Sequence, residues 1–179
     1  MATRVTIRGQ SDIDHYRKAL LASSDETQLR VRKLAETVGS LELLFQMKFE
    51  EVGCDPIDSA RPLNLIEQLN QTFTYAASLK AAEYLFRNHP AITCLTLNLG
   101  TTSGWDIEGP ESGGLVAEVF AAVNPQNNKK LEKDIEKVAA ANATHRYVFF
   151  MCPGVEAGRY RKNLGPHGVQ VVSLGCDLP

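Results

Sequence analysis

The chain has 179 residues, 44% of them hydrophobic, enough for one globular domain spanning 1–179 that buries a core without covalent staples. A formal net charge of −2 sets it apart from dedicated nucleic-acid binders, which are basic because they neutralise phosphates, so any DNA contact must run through a local basic patch or a bridging cation. No run of 18 apolar residues predicts a membrane span, the start Met1-Ala2-Thr3-Arg4-Val5 carries no secretory apolar region, and Cys54, Cys94, Cys152 and Cys176 form no CxxC pair; the expectation is a protein of the reducing cytoplasm, without a zinc site or a disulfide framework.

In chain order, Arg4–Arg8 reads as a short strand and Ser11-Asp12 as a helix cap, followed by a short helix over about 13–22. From Asp25 to Phe49, Leu29, Val31, Leu34, Val38, Leu41, Leu44, Phe45 and Phe49 recur at helical spacing, with Gly39 a weak point. Gly53-Cys54-Asp55-Pro56 ends that helix, and a loop runs to Pro62. A second long helix opens at Pro62-Leu63-Asn64 and stops at Pro90, with a thin alanine-rich face at Ala76–Ala82 suited to close packing. Three strands follow, over Ile92–Leu99, Trp105–Glu108 and Leu115–Val123. Asn127–Asn142 is an amphipathic helix with Leu131, Ile135 and Val138 inside. His145–Met151 and Gly168–Leu174 are buried strands with a short basic helix, Glu156–Leu164, between them. Three consecutive strands make a meander, and a strand-helix-strand link favours a parallel crossover, so the predicted class is α/β with a mixed sheet flanked by helices.

Within this frame one pair of residues stands out. Alternation along a strand puts Val116, Glu118 and Phe120 on one face, and an acid inside an otherwise apolar strand is expensive to bury alone. Asp106 precedes it with eleven residues between, on the paired strand of the hairpin. Two readings stand for each acid. Asp106 either serves metal or phosphate chemistry or caps a turn amide. Glu118 either holds a cation with Asp106 or pairs with a buried Arg or Lys. Lys129, Lys130, Lys133 and Lys137 read as a solvated face with Glu132 and Glu136, and Arg159, Tyr160, Arg161 and Lys162 as a surface cluster able to touch a nucleic-acid backbone. His15, His89, His145 and His167 are isolated, Asn98 and Thr101-Thr102 read as a polar loop rather than a phosphate cradle, Cys94 and Cys152 are small buried hydrophobes, and Trp105 is a packing residue beside the acids.

On Asp106, Glu118 and the surrounding element order, residues 64–175 resemble the restriction-endonuclease-like, or PD-(D/E)xK, nuclease superfamily. The segments Asn70–Tyr75 and Glu118–Pro125 are also similar to those of a group of bacterial proteins, a likeness that implies no function. The nuclease resemblance implies an α-β-β-β-α-β core, with residues 1–60 as an N-terminal helical extension. It also implies Mg²⁺, or Mn²⁺ in its place, held by Asp106 and Glu118, and hydrolysis of DNA phosphodiester bonds. Two departures are plain: Trp105 stands where the family has proline, and Phe120 stands where it has its lysine. The resemblance therefore points to Lys130 or Lys133 (Lys129 as a further candidate) as a migrated lysine and to Glu67 or Gln71 as a further ligand, while Glu108, on the same strand face as Asp106, reads either as a second acid or as a strand-end charge meeting solvent. Its alternative outcome is an inactive nuclease-like fold serving as a binding module. A homodimer on the N-terminal helices is compatible with either.

Overall fold

A computed structural model describes residues 3–100, 104–109, 114–160 and 168–177. The chain divides into two compact units, one of Met1–Ile13 with Ala77–Pro179, the other of Asp14–Ala76.

The first unit is built on a seven-stranded mixed sheet. Its strands are β1 (Thr3–Ile7), β4 (Leu95–Leu99), β5 (Ile107–Gly109), β6 (Leu115–Ala121), β7 (His145–Met151), β8 (Gly158–Arg159) and β9 (Gln170–Ser173), ordered β1-β4-β5-β6-β7-β9-β8. β4, β5 and β6 form the expected antiparallel meander, and β6, β7 and β9 run parallel. Between β6 and β7 lies α4 (Lys130–Ala139), entered through a short 3₁₀ turn at Asn127–Lys129. There Asn128 and Lys129 adopt φ of 55° and 54°, the left-handed region, so Lys129 turns the chain into the helix.

Strand alternation gives the sheet two distinct faces. On one, Tyr147 and Phe149 meet Tyr84 from the second half of α3 (Leu65–Asn88), whose Ala77, Ala81 and Ala82 are buried. The other face carries Val116, Phe120, Val148, Phe150 and Val171, which pack with Leu131, Ile135 and Val138 of α4. Full burial of a side chain such as Phe150 is worth about 2–3 kcal/mol, so this seam fixes how α4 is rotated over the sheet.

The second unit holds most of α1 (Gln10–Thr37), then α2 (Ser40–Phe49), the two-residue strands β2 (Gly53–Cys54) and β3 (Pro62–Leu63), and the start of α3. Gln68 is its polar hub. The Thr27 hydroxyl donates to Gln68 Oε1 at 2.8 Å, and the Cys54 amide donates to the same oxygen at 3.0 Å. Gly53 is there for space: a Cβ would lie 2.2 Å from Gln68 Oε1. α2 buries none of its residues, and Leu41, Leu44, Phe45 and Phe49 face solvent.

Several expectations need correction. The helices expected over 13–22 and 25–49 are one helix, α1, and a second, α2, with the break at Gly39. The helix expected over Glu156–Leu164 is not formed in its described part: Gly158 and Arg159 are extended and pair with Ser173 and Val172. A partner strand distant in sequence supplies the hydrogen bonds that local propensity cannot anticipate. Asp106 lies just ahead of β5 rather than within it, and Cys94 is only half-buried while Cys54 is buried. Thr101, Thr102, Arg161, Lys162 and His167 lie outside the described residues. Among the described residues no helix is long and apolar enough to cross a membrane.

Candidate active site

The β5–β6 register pairs Ile107 with Ala117 and Glu108 with Val116, so one further step sets Asp106 opposite Glu118. Residues directly opposite in an antiparallel pair project to the same face. Extending the same cross-strand row, Arg4 pairs with Asn98, the Asn98 amide donates to the Asp106 carbonyl, and on the far side Glu118 pairs with Val148 and Val148 with Val171. The row thus reads Arg4, Asn98, Asp106, Glu118, Val148, Val171. It is polar on one half and apolar on the other, and α4 lies against its apolar half.

Both acids have protein partners. Asp106 Oδ2 accepts the Val119 amide at 2.8 Å, and burial still pushes its carboxyl above the ordinary range. Glu118 is 97% buried, and Lys137 Nζ donates to its Oε1 at 2.7 Å. Burial raises the Glu118 carboxyl to about 7; the nearby Asp106 charge adds to the rise, and Lys137 opposes it without winning. Lys137 also donates to the Gly104 carbonyl at 3.1 Å and lies over the Trp105 ring, 5.2 Å from its centroid.

A third carboxylate joins them. Asp134 is buried on α4, accepts from Lys130 Nζ at 2.7 Å through Oδ1, and carries a charge that raises both Asp106 and Glu118. The lysines of α4 divide their partners, and the charges of both Lys130 and Lys137 lower the Asp106 carboxyl. Lys130 serves Asp134 and lies over the Phe120 ring at 5.9 Å, Lys133 is exposed, and Lys137 (expected on a solvated face) is the amine on Glu118. Phe120 stacks on Phe150 with centroids 5.8 Å apart, filling the lysine position with core.

The remaining expected residues are placed as follows. Glu67 belongs to the helical unit, in the first turn of α3, where its amide is capped by Asn64 Oδ1 at 2.9 Å; Gln71 there accepts from the Tyr75 hydroxyl. Glu108 is the middle residue of β5, paired with Arg4 at 3.2 Å and accepting from Asn98 Nδ2 at 3.1 Å. Trp105 packs against the α4 seam as expected, and Tyr160 meets Phe150 edge-on at 4.9 Å. His89 and His145, expected to be isolated, lie with ring centroids 4.4 Å apart and planes tilted by 56°, and His89 bonds the Tyr147 hydroxyl at 2.7 Å.

Asn98, expected in a polar loop, lies in β4, and Asp134 was not anticipated. Asp134 did leave a signal: Leu131, Asp134, Ile135 and Val138 follow the i, i+3, i+4, i+7 spacing, with an acid at an apolar position. Among the described residues, no three or more His, Cys, Asp or Glu side chains form a group that could hold a metal ion. Two acids do suffice for Mg²⁺, which keeps several of its waters and is bound through one or two carboxylates. Asp106, Glu118 and Asp134 share two ammonium groups (Lys130 and Lys137), and burial raises all three carboxyls, so a hard cation placed among them would offset the cost of ionising them. No family model, curated protein sequence or solved structure matches the chain.

Proposed function

We propose that the α4 side of the sheet is a Mg²⁺- or Mn²⁺-dependent site for hydrolysing DNA phosphodiester bonds, in a divergent restriction-endonuclease-like core made of α3, β4, β5, β6, α4 and β7. The observation that carries this reading is the ammonium of Lys137, 2.7 Å from Glu118, in a chain whose Phe120 fills the position where the resemblance puts lysine. Asp106 and Glu118, opposed on neighbouring strands, are the residues that would hold the cation. Bound there, it would lower the pKa of a water and offset charge on a phosphate oxygen.

The protein groups have distinct duties. Lys137 steadies the charged form of Glu118, which burial otherwise disfavours. Of its three N–H groups, Glu118 and the Gly104 carbonyl engage two among the described residues, which leaves one for a water or a phosphate oxygen. Asp106, tied to the Val119 amide, is held at a fixed orientation.

The test is cleavage of plasmid and single-stranded DNA by purified protein with Mg²⁺ or Mn²⁺, with Glu118→Ala and Lys137→Ala expected to abolish it. One observation favours the alternative, an inactive nuclease-like binding module: each acid already has a protein partner without any cation. Absence of cleavage together with absence of metal binding by calorimetry would establish that alternative. A homodimer through the exposed apolar residues of α2 is compatible with both readings, and a monomer mass by light scattering at micromolar concentration would end it.

A further inference from the structure

Lys130, Asp134 and Lys137 stand at i, i+4 and i+7 on α4, a spacing that lines them along one stripe of the helix. Their neighbours Leu131, Ile135 and Val138 anchor that helix to the sheet, so the stripe cannot rotate away from the acids without breaking the seam. Lys137 reaches Glu118 from one end, and Lys130 lies over Phe120 from the other. Asp134 sits between them. It is 97% buried, its Oδ1 accepts from Lys130, and its Oδ2 is buried with no hydrogen-bond partner.

That oxygen is the anomaly. A buried carboxylate costs several kcal/mol to desolvate, and an apolar residue would complete the α4 stripe at lower cost. A lone pair left over beside two further acids is out of place in a purely structural ion pair. The geometry points to Asp134 as a positioning residue of the proposed metal site, its Oδ2 accepting a hydrogen bond from a water bound to the cation held by Asp106 and Glu118. Reach through a water fits both facts, an orphan acceptor and side chains that do not group as three direct ligands. Outer-shell acceptors of this kind orient the bound water and commonly change metal affinity 10- to 100-fold when removed.

This inference rests on the metal-site reading above, so its test separates the two. Mn²⁺ is titrated into wild-type protein and into Asp134→Asn, Asp106→Asn and Lys133→Ala by calorimetry, with thermal melting of each protein in EDTA. The expected result is one Mn²⁺ site in wild type and in Lys133→Ala, none in Asp106→Asn, and affinity weakened about tenfold in Asp134→Asn. Asp134→Asn should also melt no lower than wild type, since it removes a buried charge. Wild-type affinity in Asp134→Asn would overturn the role of Asp134 while the metal site stands, whether or not the melting temperature falls. No Mn²⁺ binding by wild type would overturn the metal site and this inference with it. Should Asp134→Asn fail to fold, Asp134→Ser is measured in its place with the same expectations, and folding failure of both would assign Asp134 to the fold and overturn the inference.

Discussion

Replacing Glu118 with Gln removes a carboxyl that folding pushes out of its ordinary range. That range centres on 4.5, and burial with the adjacent Asp106 lifts the folded value to about 7. Between those two values the folded state binds more protons than the unfolded chain, so wild-type stability should fall as pH rises through this window and level off above it. At about 1.4 kcal/mol per pH unit, the rise corresponds to about 3 kcal/mol of stability lost between pH 4.5 and pH 7. Gln keeps the shape and carries no charge, and Lys137, half-exposed, can regain water when its partner is neutral. Urea denaturation of both proteins at pH 5, 6, 7 and 8 in EDTA would read the difference. Glu118→Gln should gain on wild type steadily from pH 5 to 7, by a total of about 2 kcal/mol. Parallel profiles would refute the reasoning, because they would mean that Glu118 ionises normally in the fold. Saturating Mg²⁺ should flatten the wild-type slope if the metal site is real, since a cation stabilises the ionised acid.

Lys137→Ala should reduce DNA cleavage at least 100-fold, the scale of a lost acid–base or electrostatic contact, while Lys133→Ala leaves it near wild type in the same gel assay; equal losses would remove the special place given to Lys137. Phe120→Lys puts a lysine where the nuclease resemblance would have one but also in the α4 seam, where Phe120 is 5% exposed and stacked on Phe150. Losing that ring alone costs about 3–5 kcal/mol, so the urea midpoint should fall sharply with no gain in cleavage. Gly53→Ala forces Gln68 from the Thr27 hydroxyl and the Cys54 amide and should destabilise by about 2 kcal/mol; an unchanged midpoint would show that Gln68 yields without loss.

Much of the architecture was legible in local pattern. Alternation in Leu115–Val123 placed Glu118 and Phe120 on one face, and the 3.6-residue period named Leu131, Ile135 and Val138 as the buried side of α4. Such signals survive because each depends on neighbours in sequence, and tertiary packing reinforced them. The same is true of the meander of β4, β5 and β6, whereas Gly39, legible only as a weak point in one long helix, is where that helix ends. Contacts between distant segments were beyond that reach. The β8 strand exists only because β9 offers it a hydrogen-bonding edge, and His89 meets His145 only because the end of α3 lies over the start of β7.

The candidate site divides along the same line. Sequence alone picked out Asp106 and Glu118, since a carboxylate in an apolar strand needs a partner wherever the strand ends up. It could not choose among the lysines of one amphipathic helix, all on its polar side. That choice depends on how far α4 is rotated and advanced over β6, and these two quantities are fixed by side chains interlocking across the seam, not by any property of the helix itself. Packing turned Lys137 to Glu118, gave Lys130 to Asp134 and left Lys133 in solvent.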